Sequence, residues 1–302
     1  MTQTRRSFLQ ASTALVAASS GAAQGAGSTA GQPPRMKFGG VEISRLVLGV
    51  NPFYGYAHFN GIYGQMMRDW YTPEKVVEVM LRAQEFGINA FNYVSLGRGP
   101  QDWKRFLGAG GRMHLIPQVT AGDDAAQMVR DLKPLALQRQ GEVLDKAWEN
   151  GAMEAEHEWC KKARQLGVLV GVGTHKPEVI EYVEDKGWDV DFYAGCVYNR
   201  TRTPEEWRKV LGGEMMEMHR EAYLQSDPPR MYTVMRQTKR PCFAFKILAA
   251  GRITSDRDVE QAFRTAFRSL KPIDGVYVGM CPRLKDEVKL NSELVARIVS
   301  ET

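Results

Sequence analysis

Polar and ionisable side chains recur in this sequence where apolar runs end. In chain order they are Asn51, Asn92, Gln118, Glu142, Asp145, His175, Tyr198, Asn199, Lys246, Cys281 and Arg283. Amides are frequent among them, and amides hydrogen-bond the hydroxyl groups of a polyol or a sugar. The imidazole, the primary amine and the two carboxylates of the set can move protons. The pattern predicts a site for a small, hydroxyl-rich molecule.

Lys246 is a candidate catalytic base or nucleophile. It interrupts the apolar run Cys242–Leu248, so we predict that it lies within a strand. Loss of hydration there would favour the neutral amine, which acts as a base or forms a Schiff base with a carbonyl compound. A structural ion pair with a nearby carboxylate is the alternative.

His175 ends the run Val168–Thr174 and precedes a helix start at Pro177. A histidine at a strand end serves as a general acid or base or as a metal ligand, or it only caps the next helix. Together with Glu142 or Asp145 it could bind a divalent metal ion. No HxH spacing supports that ligand set.

The elements that would position these residues alternate between apolar strands and amphipathic helices. The predicted strands are Leu46–Val50, Ile88–Val94, His114–Thr120, Leu135–Gln140, Val168–Thr174, Val190–Tyr198, Cys242–Ala249 and Gly275–Met280. A hairpin over Met36–Arg45 precedes them. Eight strands, each followed by a helix, predict an α/β fold of the (βα)8 TIM-barrel type. The carboxyl ends of all eight strands would share one face, where active sites of such barrels lie.

Composition limits the class of protein. The chain has 302 residues, a net charge of +5, 43% hydrophobic and 25% charged residues. We predict one barrel domain over residues 36–302, after an N-terminal segment of residues 1–35. The mild basicity gives no reason to expect nucleic acid as a partner, and no apolar run is long enough for a stable membrane span. The four cysteines lack metal-ligand spacing and predict buried, reduced thiols.

The N-terminal segment resembles a bacterial twin-arginine export signal. Thr4–Gln10 carries the paired arginines Arg5 and Arg6, and a mildly apolar stretch and small residues follow. The resemblance implies the twin-arginine translocase as a partner, a signal peptide with a linker over residues 1–35, and a periplasmic or otherwise exported protein.

Several stretches resemble aldo-keto reductases. Phe38–Val50 resembles the hairpin and first strand of that family, and Gly87–Asn92 resembles its "GINFFDTA" strand. Tyr198-Asn199 resembles the "EYN" after its sixth strand, Phe245–Gly251 its seventh strand, and Val278–Asn291 its nucleotide-binding end. The resemblance implies an aldo-keto reductase-like barrel.

The catalytic tetrad of that family is degenerate here. In register, its Asp falls on Asn92, its Tyr on Gly97, its Lys on Gln118 and its His within Gln138–Gln140. Carbonyl reduction by hydride needs a proton donor, which a glycine cannot supply.

The cofactor positions are only partly retained. Gly173 and Thr174 fall where the family holds the nicotinamide amide with Ser and Asn. Arg283 and Asn291 match the adenine end. They are the candidate residues for binding NADP(H), which the other replacements make a poorly supported cofactor.

These observations lead to one leading hypothesis and two alternatives. The leading hypothesis is an exported enzyme that acts on a carbohydrate or polyhydroxy carbonyl compound by proton transfer, as a lyase or isomerase. Lys246 and His175 would be catalytic, and the substrate-binding residues would be Asn51, Asn92, Gln118, Tyr198 and Asn199. A divergent NAD(P)-dependent oxidoreductase and a non-catalytic ligand-binding barrel are the alternatives.

Overall fold

The structure, a computed structural model, describes residues 31–58, 60–213 and 222–301. The predicted export signal lies almost wholly outside these residues. A hairpin opens the fold, with antiparallel strands β1 (Arg35–Phe38) and β2 (Val41–Ser44). Gly39 at its turn has a φ of 63°, a conformation that glycine adopts without steric cost. The predicted hairpin is confirmed.

Eight parallel strands follow and close into a barrel. They are β3 (Leu46–Gly49), β4 (Ala90–Val94), β5 (His114–Val119), β6 (Ala136–Arg139), β7 (Leu169–Thr174), β8 (Phe192–Cys196), β9 (Cys242–Phe245) and β10 (Gly275–Gly279). Each strand pairs with the next in the chain, and β10 pairs with β3 to close the ring. The predicted TIM barrel is therefore confirmed.

The described helices surround the barrel. They are α1 (Gly61–Trp70), α2 (Pro73–Glu85), α3 (Gly99–Gly108), α4 (Ala125–Leu132), α5 (Gly141–Glu149), α6 (Met153–Arg164), α7 (Pro177–Asp185), α8 (Pro204–Leu211), α9 (Asp227–Gln237), α10 (Asp256–Ser269) and α11 (Glu287–Ser300). Helices α1, α5 and α8 have no counterpart in the sequence prediction. Of the residues described, none belongs to a helix long and apolar enough to cross a bilayer.

The hairpin packs against the end of the barrel opposite the carboxyl ends of the strands. Phe38 is almost fully buried, and its ring meets those of Phe192 and Phe243 edge-on at centroid distances of 5.1 and 5.3 Å. These rings fill the lower barrel, so that end is an apolar core.

Strand register shows how the interior changes from apolar to polar. Side chains inside such a barrel stack in layers, each taking one residue from alternate strands. By the register, one of the two lower layers contains Ala90, Ala136, Phe192 and Gly275. The other contains Val47, Ile116, Gly171 and Phe243. A Cβ atom on Gly171 would stand 2.2 Å from the Phe192 ring, so the glycine gives that ring its room.

Above these layers the interior becomes polar. The next layer contains Asn92, Gln138, Ala194 and Tyr277, and the one above it contains Gly49, Gln118, Gly173 and Phe245. Two of the four positions in the upper of these layers lack a side chain. The barrel is therefore filled from below and open from this level upward, which places a cavity at the carboxyl ends of the strands.

Candidate active site at the carboxyl face of the barrel

A cavity of about 1070 Å³ opens at this face. Its wall includes most of the residues singled out in the sequence, namely Asn51, Asn92, Gln118, Glu142, His175, Lys246, Arg283 and Asn291. Residues of the first loop and of α1, such as Tyr56, His58 and Tyr63, line it as well. The structure thus brings together groups that are up to 240 residues apart in the chain.

Three amides form the floor of the cavity. Gln118 Nε2 donates to Asn92 Oδ1 at 2.8 Å, and Asn92 Nδ2 donates to Gln138 Oε1 at 3.2 Å. Asn92 also donates to the Ile116 carbonyl oxygen at 3.2 Å. These bonds hold Asn92 in one orientation. Gln138 was not among the predicted site residues, although the polar segment Gln138–Gln140 was the signal for it.

A buried histidine–carboxylate pair stands at the cavity wall. His175 Nδ1 lies 2.7 Å from Asp145 Oδ2. The same carboxylate accepts hydrogen bonds from the Thr174 hydroxyl at 2.5 Å, the His175 backbone N–H at 3.1 Å and the Thr201 hydroxyl at 3.2 Å. Both side chains are almost completely shielded from solvent.

These contacts decide the protonation state of His175. Burial lowers its pKa to about 4, against the opposing effect of Asp145, so the imidazole is neutral at pH 7. Burial alone would raise the pKa of Asp145, but its hydrogen bonds and the imidazole hold it below the ordinary value, so the carboxylate is ionised. An ionised carboxylate accepts the proton on Nδ1, which leaves the Nε2 lone pair unprotonated.

Arg200 approaches that lone pair. Its Nη1 lies 3.5 Å from His175 Nε2 and donates to Glu142 Oε1 at 2.6 Å. The guanidinium is buried, whereas the Glu142 side chain is half exposed. An arginine can only donate, so its position agrees with an unprotonated Nε2. The sequence offered no clear signal for Arg200.

The sequence predicts Glu142 and Asp145 at the end of a strand, but the structure places neither of them there. They lie on α5, which begins two residues after β6 and is too short to show a clear helical period. The helix places Asp145 behind His175. Gly141 makes room for the imidazole, because a Cβ atom on residue 141 would stand 3.1 Å from His175 Cε1.

Lys246 differs from the prediction in its setting. Strand β9 ends at Phe245, and Lys246 turns out of it with a φ of 60°. It is half-buried at the cavity wall rather than enclosed in an apolar strand, and its amine lies 5.7 Å from the Phe245 ring centroid. The Phe245 and His175 rings also pack edge to face, with their centroids 5.4 Å apart.

The predicted metal site has no support in the described ranges, where no group of three His, Cys, Asp or Glu side chains is arranged to hold a metal ion. Asp145 already accepts hydrogen bonds from His175, Thr174 and Thr201, and Glu142 is paired with Arg200.

A nicotinamide cofactor fits only one part of the cavity. Arg283 and Asn291 line it together, as the adenine-end prediction requires. At the other end, Thr174 is fully buried with its hydroxyl on Asp145, and Gly173 has no side chain to offer. The residues present therefore do not fit the amide of a nicotinamide ring.

Two predicted substrate-binding residues lie off the cavity wall. The ring of Tyr198 packs on Tyr223 with centroids 4.8 Å apart, and the Asn199 backbone N–H donates to Asp227 at 3.2 Å. Neither prediction gains support from the structure. Three of the four cysteines, Cys160, Cys196 and Cys242, are buried free thiols, as predicted, and Cys281 is half-buried at the cavity.

Comparison with known proteins shows similarity at the level of fold. No protein-family model and no curated protein matches the chain. Among solved structures, a truncated 3-deoxy-D-arabino-heptulosonate 7-phosphate synthase from Thermotoga maritima matches with a TM-score of 0.50 and 14% identity, covering 89% of this chain and 90% of that one. The protein Gox0644 in its apo form matches with a TM-score of 0.51 and 12% identity over 87% of this chain and 88% of the other.

An aldo/keto reductase from Brucella melitensis also matches, with a TM-score of 0.48 and 11% identity over 89% of this chain and 100% of the other. At such identities the two matches with TM-scores of 0.50 and 0.51 show the fold alone. One barrel supports many chemistries, so the function has to be argued from the cavity.

Proposed function

We propose that this protein is an enzyme that moves a proton on a hydroxyl-rich carbonyl compound, in a lyase or isomerase reaction without net oxidation or reduction. The observation that carries the proposal is the His175–Asp145 pair. It presents an unprotonated Nε2 at the wall of a cavity with an amide floor.

His175 acts as the general base in this proposal. Asp145 holds the Nδ1–H tautomer and stabilises the imidazolium that forms when Nε2 takes a proton from the carbon beside the carbonyl group. The Asn92, Gln118 and Gln138 amides orient the ligand's hydroxyl groups. The guanidinium of Arg200, 3.5 Å from Nε2, stabilises negative charge that develops on the carbonyl oxygen.

Lys246 is the second catalytic group in this proposal. As an ammonium ion it stabilises the same developing charge, and as a neutral amine it condenses with the carbonyl carbon to an imine and releases water. Borohydride reduction in the presence of substrate, followed by mass spectrometry, distinguishes these roles. A covalent adduct that Lys246→Met abolishes supports the imine.

The test of the proposal is exchange of carbon-bound hydrogen with solvent. The protein is incubated in D2O with aldoses and ketoses of three to six carbons, and proton NMR follows the signal beside the carbonyl group. We expect exchange by the wild type and a loss of about 100- to 10,000-fold in His175→Asn. Asparagine retains a donor to Asp145 near the Nδ1 position but has no group in place of Nε2.

His157→Asn is the matched control, because His157 stacks on Trp188 away from the cavity. Equal exchange by wild type and His175→Asn, or exchange by neither, would overturn the proposal. Ligand binding without exchange would point instead to a binding protein.

A second candidate function is an NADP(H)-dependent oxidoreductase. The observation in its favour is that the cavity reaches from His175 to Arg283 and Asn291. A titration with NADPH, followed through the fluorescence of the six tryptophans, tests it. Saturable micromolar binding that Arg283→Ala weakens would support this function, and the absence of binding would remove it.

A further inference from the structure

Tyr277 is an unexplained buried polar residue in the cavity. It lies on β10, is 5% exposed and belongs to the cavity wall. Its ring stacks on that of Phe243 with centroids 4.7 Å apart and planes at 16°. Its hydroxyl makes no hydrogen bond with any residue that the structure describes.

A buried hydroxyl without a hydrogen-bond partner lowers the stability of the folded protein. Leaving a buried donor without a partner costs about 1–3 kcal/mol, and a phenylalanine would fill the same space without that cost. Burial also raises the pKa of Tyr277 well above its usual value, so the group stays protonated and remains a donor. Because Tyr277 lines the cavity, a ligand in the cavity can supply the missing acceptor.

The position of Tyr277 indicates where that partner comes from. The strand register puts it in the same interior layer as Asn92 and Gln138, at the level where the barrel interior becomes polar. Gln138 accepts through Oε1 from Asn92 in that layer. The floor of the cavity thus carries one buried donor, Tyr277 Oη, without an acceptor among the described residues.

We propose that Tyr277 is a ligand-binding residue, whose hydroxyl donates a hydrogen bond to a hydroxyl or carbonyl oxygen at the floor of the cavity. The hydroxyl is shielded from solvent, so this bond forms where water does not compete. The inference rests on the proposed function for its ligand class, a polyhydroxy compound, and not for the proton transfer.

The test compares Tyr277→Phe with Tyr93→Phe. Tyr93 is a matched control, since it is 1% exposed, its hydroxyl also lacks a partner among the described residues, and it does not line the cavity. The probe is xylitol, a linear five-carbon polyol without a carbonyl group, titrated by calorimetry. We expect saturable binding by the wild type, a Kd raised about 5- to 100-fold in Tyr277→Phe, and an unchanged Kd in Tyr93→Phe.

Thermal unfolding without ligand supplies the second readout. Both variants remove a hydroxyl without a described partner, so both should be at least as stable as the wild type. The inference would be wrong if Tyr277→Phe bound xylitol as tightly as the wild type. It would also be wrong if Tyr277→Phe were less stable than the wild type while Tyr93→Phe was not. The absence of xylitol binding by the wild type would overturn it too.

The outcomes separate this inference from the proposed function. Weaker xylitol binding by Tyr277→Phe, with no hydrogen exchange on any sugar, removes proton transfer and keeps Tyr277 as a ligand-binding residue. Hydrogen exchange that depends on His175, with equal xylitol binding by Tyr277→Phe and wild type, keeps the proton transfer and removes Tyr277 as a ligand-binding residue.

Discussion

At the scale of the residue, His175 is distinguished by its surroundings. A carboxylate that accepts hydrogen bonds from Thr174, Thr201 and the imidazole fixes the tautomer, and burial keeps the ring neutral. A solvent-exposed histidine would be partly protonated near neutral pH. The buried His175 is therefore a base over a wider range of pH.

This difference predicts the pH dependence of the reaction. Since protonated Nε2 cannot accept a proton, kcat/KM should be constant above about pH 5 and fall tenfold per unit below the pKa of about 4. The measurement is the initial rate of hydrogen exchange between pH 3.5 and 8. An acidic limb centred near pH 6.5 would show that His175 is hydrated or is not the base.

Stability should also depend on this residue. The pKa of His175 is lowered in the folded state, so the unfolded chain binds the proton first as the pH falls. The stability that it contributes is complete above about pH 6.5 and is lost progressively down to about pH 4. Urea denaturation at each pH, with His175→Asn as the comparison, separates this effect from the loss of the base.

At the scale of the element, the turn after β9 is strained. Lys246, Ala249 and Ala250 all have φ between 48° and 60°, a region that residues with a Cβ atom rarely occupy. The strain lies where the chain leaves the barrel beside His175, and such strain concentrates at functional sites.

The strain predicts the effect of Ala250→Gly. Glycine adopts a φ of 53° without the steric cost, so the free energy of unfolding should rise by about 0.5–1 kcal/mol. Ala262→Gly within α10 is the control and should lower it by about 1 kcal/mol, because glycine disfavours a helix. Destabilisation by both substitutions would show that residue 250 is not strained.

At the scale of the whole molecule, the two ends of the barrel differ. The hairpin and the aromatic side chains Phe38, Phe192 and Phe243 fill one end, and the polar layers and the cavity occupy the other. This division separates stability from chemistry, which allows the loops of the open end to vary without loss of the core.

We also propose that the protein is exported by the twin-arginine route, on the sequence of Thr4–Gln10 alone. In a Gram-negative host with an intact twin-arginine translocase, the wild type should reach the periplasm and the double substitution Arg5→Lys, Arg6→Lys should remain in the cytoplasm. Cell fractionation and immunoblotting measure this. Equal periplasmic amounts in a host without the translocase would contradict the proposal.

The sequence alone was enough to predict the barrel and its hairpin. Apolar runs for strands and amphipathic helices between them are local patterns, and the structure confirms all eight strands. Local patterns also marked Asn92, Gln118, His175 and Lys246, because polar residues at the ends of apolar runs are conspicuous.

Only the tertiary structure decided which of these groups meet. The pairing of Asp145 with His175, the approach of Arg200 and the alignment of Gln138 and Tyr277 with Asn92 all depend on barrel closure and strand register. Register is set by packing between segments far apart in the chain. The end of β9 at Phe245 is set by a backbone turn within the segment Cys242–Leu248. Neither leaves a periodic pattern in the sequence, and therefore the site could be outlined from the sequence but assembled only in the fold.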